Sequence, residues 1–289
     1  MRYLMFNLDG ESRVGALVDG DTVVDLTAAL PAVRSMRDVI AGGDGLRPEI
    51  EAAVKAGAAT RPLADCRLAA PIGDPGKVIC LGLNYADHAK EGGNPLPDYP
   101  ALFMRGATSL IGPGEPMIVP TCSDKLDYEA ELAIVIGKRC RHVGEADAGS
   151  VIFGYTIFND GSVRDYQRRS TQWTAGKNFD GTGAVGPWIV TVDELPAGAE
   201  GLGIRSRLNG ETMQDSNTRH MIFSVPRTIA ILSEVMTLEP GDLIATGTPE
   251  GVGYARTPPV LMRPSDEIAI EIDGIGVLSN PVAAEAASA

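Results

Sequence analysis

The 289-residue chain carries 25 Lys and Arg against 38 Asp and Glu, a formal net charge of −13, with 44% hydrophobic and 22% charged residues. That balance is globular and speaks against bulk disorder. The acidic sign speaks against a nucleic-acid partner, which needs a basic face for phosphate, and against docking on an anionic membrane.

The first residues, Met1 to Asp9, turn acidic too soon for a signal peptide. No apolar run approaches the roughly 20 residues that cross a bilayer. The four cysteines, Cys66, Cys80, Cys122 and Cys140, contain no C-x-x-C pair and read as reduced core thiols. Together these features predict a soluble, cytoplasmic protein.

Apolar stretches at 14–18 and 22–26 flank Asp19-Gly20-Asp21, a hairpin signal. A short helix is expected over 49–55. Ala70-Pro71-Ile72-Gly73-Asp74-Pro75-Gly76 reads as a linker. It divides a small β-rich unit, 1–70, from a larger one, 71–289. A fresh apolar run, 77–81, opens the second unit. Next comes Asn84-Tyr85-Ala86-Asp87-His88-Ala89-Lys90-Glu91. In a helical turn His88 and Glu91 sit at i and i+3, and a carboxylate there fixes the imidazole tautomer and raises its basicity. A plain surface pair is the alternative. The Gly- and Pro-rich loop at 92–97 has the composition of a lid, and residues 92–99 are expected to shape a pocket. Arg105 is a candidate fork for a substrate carboxylate.

Residues 126–136 read as a strand. Alternation puts Leu126, Tyr128, Ala130, Leu132, Ile134 and Ile136 on one face, and Asp127, Glu129, Glu131, Ala133 and Val135 on the other. Two carboxylates that close repel unless a cation or protons intervene. A solvated face is the alternative, and the apolar continuation through Ala133 and Val135 counts against it. A third acid, Asp160, ends the apolar run 151–158, in a position where Asn159-Asp160-Gly161 also reads as a turn. Three carboxylates without nearby Cys or His suit a hard cation: Mg²⁺ first, then Mn²⁺ or Ca²⁺. Lys177, between glycines and aromatics, either contacts a carboxylate or oxyanion or is an ordinary surface lysine.

Residues 204–208 run into Asn209-Gly210, a second hairpin signal. Ser224 is an expected N-cap, with Val225, Ile229, Leu232 and Met236 at helical spacing and Glu239-Pro240-Gly241-Asp242 as the stop. Ile268, Ile270 and Ile272 alternate with polar residues in a strand that meets Asp273-Gly274. The Ala-rich end after Asn280 is expected to fray. No G-x-G-x-x-G or regular βαβ alternation supports a doubly wound nucleotide fold.

Several of these motifs, in this order, resemble the fumarylacetoacetate hydrolase family. They are Gly82-Leu83-Asn84-Tyr85-Ala86-Asp87-His88, Asp127-Tyr128-Glu129-Ala130-Glu131-Leu132, Asn159-Asp160, Gln172-Trp173-Thr174-Ala175-Gly176-Lys177-Asn178-Phe179-Asp180 and Thr246-Gly247-Thr248-Pro249-Glu250-Gly251-Val252-Gly253. The resemblance runs from about residue 70 to the end. It implies an α+β, β-rich fold, a mixed β-sandwich roll with a small N-terminal β-containing domain, usually a homodimer. It implies Glu129, Glu131 and Asp160 as ligands of Mg²⁺ or Mn²⁺, His88 and Glu91 as the catalytic dyad, and Lys177 as the active-site lysine. Arg105, Gln167 and Thr248 fall at substrate-contact positions. The expected reaction is hydrolysis of a carbon–carbon bond in a 2,4-dioxo acid such as an acylpyruvate. Decarboxylation of a 2-oxo acid such as oxaloacetate, or isomerisation or hydration of an aromatic-catabolic intermediate, is the alternative.

Overall fold

The computed structural model describes residues 1–93 and 95–286. The chain begins with β1 (Arg2–Leu8), β2 (Glu11–Val18) and β3 (Thr22–Asp25), an antiparallel meander turning at the expected Asp19-Gly20. Asp25 accepts from the Ala28 N–H and starts α1 (Leu26–Ala29). Ser35 and Asp38 form a capping box that starts α2 (Met36–Ala56). The helix expected at 49–55 is therefore the end of a longer one, kinked at Gly43. β4 (Thr60–Pro62) and β5 (Arg67–Ala69) close this part.

Next come β6 (Val78–Gly82), α3 (Ala86–Glu91), β7 (Ala101–Arg105), β8 (Leu110–Ile111), β9 (Met117–Val119), β10 (Leu126–Asp127) and β11 (Ala130–Ile136). β12 (Ile152–Asp160), β13 (Ser162–Val163), α4 (Arg164–Gln167), α5 (Thr174–Lys177) and β14 (Gly183–Thr191) follow. The chain then runs through β15 (Gly203–Leu208), β16 (Glu211–Asn217), α6 (Val225–Val235), β17 (Leu243–Ala245), β18 (Glu267–Ile272) and β19 (Gly276–Ala284).

Two sheets carry the architecture. The larger has 12 strands, with β4-β3-β2-β1-β14-β12-β11-β17-β6-β7 as its path, β5 beside β1 and β8 beside β14. The smaller has the order β16-β15-β18-β19-β9. Most pairs are antiparallel, but β6–β17, β8–β14 and β9–β19 are parallel, so the sheets are mixed. The chain is thus α+β and sheet-rich.

The apolar alternation along β11 explains the layering. Leu132, Ile134 and Ile136 pack into the core shared with Ile204, Ile268, Ile270 and Ile272 of the smaller sheet and Ile229 and Leu232 of α6. Ala133 and Val135 face the other way, into a core shared with Val14, Val24, Val39 and Ile40. Beyond the two glutamates, that strand face is therefore packed against the N-terminal part and does not face water. The larger sheet crosses residue 70 without a break, since β1 pairs with β14.

Four local expectations need correction. Asn159 and Asp160 belong to β12, with Asp160 opposite Gly183, because the β14 pairing extends the strand past Phe158; the chain then tightens, with the Gly161 N–H bonded back to the Asn159 carbonyl at 2.9 Å. α6 keeps its Ser224 cap but ends at Val235, with Met236 already extended. Residues 280–284 do not fray, since Val282, Ala283 and Ala284 pair with β9; residues 287–289 lie outside the described residues. All four cysteines are free, but only Cys66 and Cys80 are core thiols; Cys140 is half-buried and Cys122 exposed.

Asn84 locks the turn after β6. Its amide nitrogen donates to the carbonyls of Phe223 (3.1 Å) and Thr246 (2.7 Å), and its oxygen accepts from the Phe223 N–H (2.6 Å). Asn84 is fully buried. Asn84→Ala strips partners from three buried backbone groups and is expected to cost about 3 kcal/mol of stability in a urea titration. An unchanged midpoint would show that these groups find other partners.

Candidate active site and metal centre

The register of β11 on β12 builds the centre of the site. Ala130 opposes Asn159 and Glu131 opposes Phe158. Opposed residues share a sheet face and successive side chains alternate, so Glu131, Phe158 and Asp160 point to one side. Glu129 lies in the irregular step before β11. Its N–H donates to Asn159 Oδ1 and its carbonyl accepts from the Asp160 N–H, both at 3.0 Å. One carboxylate oxygen each from Glu129, Glu131 and Asp160 lies within 4.8 Å of the others. Their exposures are 5%, 1% and 0%, which rules out the solvated-face alternative.

Buried cations surround this cluster. Lys177, at the end of α5, is 2% exposed and bridges Glu129 Oε2 (2.7 Å) and Asp160 Oδ2 (2.5 Å). It is not a surface lysine. Gly176 permits this approach, since a Cβ there would lie 2.4 Å from the Gln167 nitrogen. Arg164 holds Glu129 Oε1 at 2.6 Å and, through Nε, Asp127 Oδ2 at 2.8 Å. Arg105 bonds Asp160 Oδ1 at 2.6 Å, and also Ser109, Thr182 and the Gly161 carbonyl.

Glu131 differs from its neighbours: its oxygen receives the Gly247 N–H at 2.8 Å, and among the described residues no cation lies within 4.0 Å of it. Burial, then the charges of Asp160 and Glu129, push its carboxyl well above the usual range. Burial acts on Glu129 in the same direction, but Lys177 and Arg164 outweigh it and hold that group low. Burial works against the Lys177 ammonium, and Asp160 and Glu129 more than compensate.

The donor set therefore fits a divalent cation. It is all oxygen, buried and convergent, with one carboxylate lacking an ionic partner. Among the described residues, four buried carboxylates (Asp127, Glu129, Glu131, Asp160) face three buried cations (Arg105, Arg164, Lys177). A divalent ion would turn that excess negative charge into a net positive charge suited to an anionic substrate.

α3 carries the His88–Glu91 pair. Glu91 Oε2 lies 3.3 Å from His88 Nδ1, and Glu91 Oε1 accepts from the Gly251 N–H at 3.0 Å. Burial raises the Glu91 carboxyl, but the His88 and Gly251 hydrogen bonds together bring it below its ordinary value. The loop supplying these donors needs glycine: Gly247 and Gly251 have φ of 92° and 95°, and a Cβ on Gly251 would sit 2.4 Å from the Met213 carbonyl.

A cavity of about 410 Å³ joins these parts. His88, Glu91, Glu129, Glu131, Lys177, Gln167 and Thr248 all line it. Gln167 accepts from Arg164 at 3.0 Å, and the Thr248 hydroxyl accepts from Gln214 at 2.8 Å. Asp160 and Arg105 stand behind the lining. The expectation that Arg105 forks onto substrate does not fit, because its donors are committed to Asp160 and the surrounding backbone and hydroxyls. Of the expected lid, Gly92 lines the cavity and Asn94 lies outside the described residues.

Sequence reasoning assigned no role to Arg164, Asp127 or Gln214. Gln214 is buried and ties the Ala130 N–H to Thr248 and the Pro249 carbonyl. A basic residue four positions past a candidate ligand acid was a usable signal for Arg164; Gln214 offered none, because the site groups it joins, Ala130, Thr248 and Pro249, are remote in sequence.

The family model described as "Fumarylacetoacetate (FAA) hydrolase C-terminal" matches residues 77–283. The mitochondrial oxaloacetate tautomerase of Xenopus laevis is 40% identical over 274 residues, covering 93% of this chain and 86% of that protein. Among solved structures, the fumarylacetoacetate hydrolase of Exiguobacterium antarcticum superposes with a TM-score of 0.86 at 37% identity, covering 99% of this chain and 100% of that one. Maleylpyruvate hydrolase from Sphingobium sp. SYK-6, in complex with manganese(II) and pyruvate, gives 0.84 at 36% identity with the same coverage. With its acid cluster, its dyad and these relatives agreeing over nearly its whole length, the chain belongs to the fumarylacetoacetate hydrolase family and is an enzyme of that group.

Proposed function

We propose that the chain interconverts the enol and keto forms of a 2-oxo dicarboxylic acid of the oxaloacetate type. The observation that carries this reading is the single cavity lined by both the His88–Glu91 pair and the acid cluster. Glu129, Glu131 and Asp160 would hold a divalent ion, Mg²⁺ or Mn²⁺, which would supply Lewis acidity to the site. Glu91 holds His88 at Nδ1 and leaves Nε2 to give a proton to C3 of the enol, or take it from the keto form, while the enol O–H proton exchanges with solvent water. Glu91 is itself held by the Gly251 N–H, so the ring stays oriented while its charge changes. Lys177 adds positive charge beside the developing enolate. Gln167 and Thr248 offer side-chain amide and hydroxyl groups to the substrate.

Carbon–carbon hydrolysis of a 2,4-dioxo acid is the second reading. It draws support from the maleylpyruvate hydrolase that resembles this chain. There the same His88 Nε2 would take a proton from water. Decarboxylation of oxaloacetate would need no hydrolytic water. An assay with Mg²⁺ that follows enol-oxaloacetate absorbance, CO₂ and pyruvate separately tests the choice. Tautomerisation predicts accelerated enol loss without CO₂. Faster release of pyruvate from an acylpyruvate would favour hydrolysis, and CO₂ would favour decarboxylation.

This reading keeps 71–289 as the catalytic unit and 1–70 as a smaller appended one, in line with a family match that starts at 77. It takes the enzyme as a homodimer, which light scattering at twice 30.3 kDa would check. A reducing compartment such as the cytoplasm agrees with four free thiols, and cell fractionation would test it. Among the described residues no helix is long and apolar enough to cross a membrane.

A further inference from the structure

Arg164, Arg168 and Lys177 all line the cavity. Arg164 and Lys177 spend their charges on Asp127, Glu129 and Asp160. Arg168 does not: among the described residues no carboxylate lies within 4.0 Å of its guanidinium. Its Nη1 donates to the Tyr254 hydroxyl at 2.5 Å, and its guanidinium carbon lies 3.9 Å from the centre of the Tyr254 ring. Stacking of that kind holds the guanidinium plane while leaving other N–H donors along its edge free.

One buried group fixes both halves of this pair. Asp127 accepts from the backbone N–H groups of Gly253 and Tyr254, each at 2.9 Å, and from Arg164 Nε at 2.8 Å. The Arg168 N–H in turn donates to the Arg164 carbonyl at 3.2 Å. The segments bearing Tyr254 and Arg168 are thereby tied to the same carboxylate, and an uncommitted guanidinium is set in the wall of a cavity already built for an anionic acid.

The geometry points to Arg168, braced by Tyr254, as the residue that selects a second, distal carboxylate, so that the enzyme prefers 2-oxo dicarboxylic acids over 2-oxo monocarboxylic acids of the same length. The inference rests on reading the cavity as a 2-oxo acid site. Arg168 is exposed, so solvent screening limits the preference to about tenfold.

Calorimetry in Mn²⁺ with 2-oxoglutarate and 2-oxovalerate, two five-carbon acids that differ at the far end, tests this without requiring turnover. Wild type is expected to bind 2-oxoglutarate about tenfold more tightly. Arg168→Gln is expected to erase that difference while leaving 2-oxovalerate affinity unchanged, and Arg168→Lys to restore part of it. With oxaloacetate, Arg168→Gln should raise KM and spare kcat. Equal weakening of both acids would reduce Arg168 to a structural role, and a wild type without preference, or with no binding of either acid, would overturn the inference. Preferential binding without tautomerisation of oxaloacetate would sink only the proposed reaction.

Discussion

Glu131→Gln is expected to lower turnover by about three orders of magnitude while the protein stays folded. Among the described residues, Glu131 is the cluster carboxylate with no cation within 4.0 Å. Its replacement therefore breaks no ion pair, and the glutamine oxygen can still accept the Gly247 N–H. It also removes one of three mutually repelling acids, which matters most when no cation is bound. In chelator the variant should melt at or above the wild-type temperature. With Mn²⁺ at about 100 times its Kd, linkage stabilises wild type by about 2.7 kcal/mol, a rise of roughly 5 °C in Tm. The variant should show little of that rise. A Glu129 or Asp160 substitution would be harder to interpret, because each would also strand Lys177 and either Arg164 or Arg105. Full activity of Glu131→Gln in chelator would refute the cation-dependent account.

His88→Ala is expected to lower kcat by about 10²- to 10⁴-fold, the usual contribution of a positioned general base, with Mn²⁺ affinity unchanged. The carboxylate contact of His88 is to Glu91, outside the acid cluster. Glu91→Gln should have a smaller effect, since the imidazole remains and loses only its orienting charge. Calorimetry showing lost Mn²⁺ affinity in His88→Ala would instead make the imidazole a ligand.

The acid cluster was legible because strand alternation is a local rule. Glu129 and Glu131 two residues apart, and Asp160 at the end of an apolar run, are visible in the chain itself. The His88–Glu91 pair was legible for the same reason, as one helical turn. What could not be read was how charge is matched around the cluster. Arg105 meets Asp160 across 55 positions, and Lys177 meets Glu129 across 48. Neither contact follows from any local period, and Arg105 was accordingly given to the substrate. Ala133 and Val135 already spoke against a solvated face, but what covers them, strands and α2 from the first 70 residues, is remote in sequence and could not be read. The fold class was legible in its hairpins and alternating strands, but the continuity of one sheet across residue 70 depends on the β1–β14 pairing, which is long-range.

The most direct test is a Mn²⁺ titration of the purified, chelator-treated protein, wild type against Glu131→Gln. The account predicts one ion bound per chain in the wild type and none at the same concentrations in the variant. Absence of binding to wild type at millimolar Mn²⁺, or equal binding to both proteins, would contradict it.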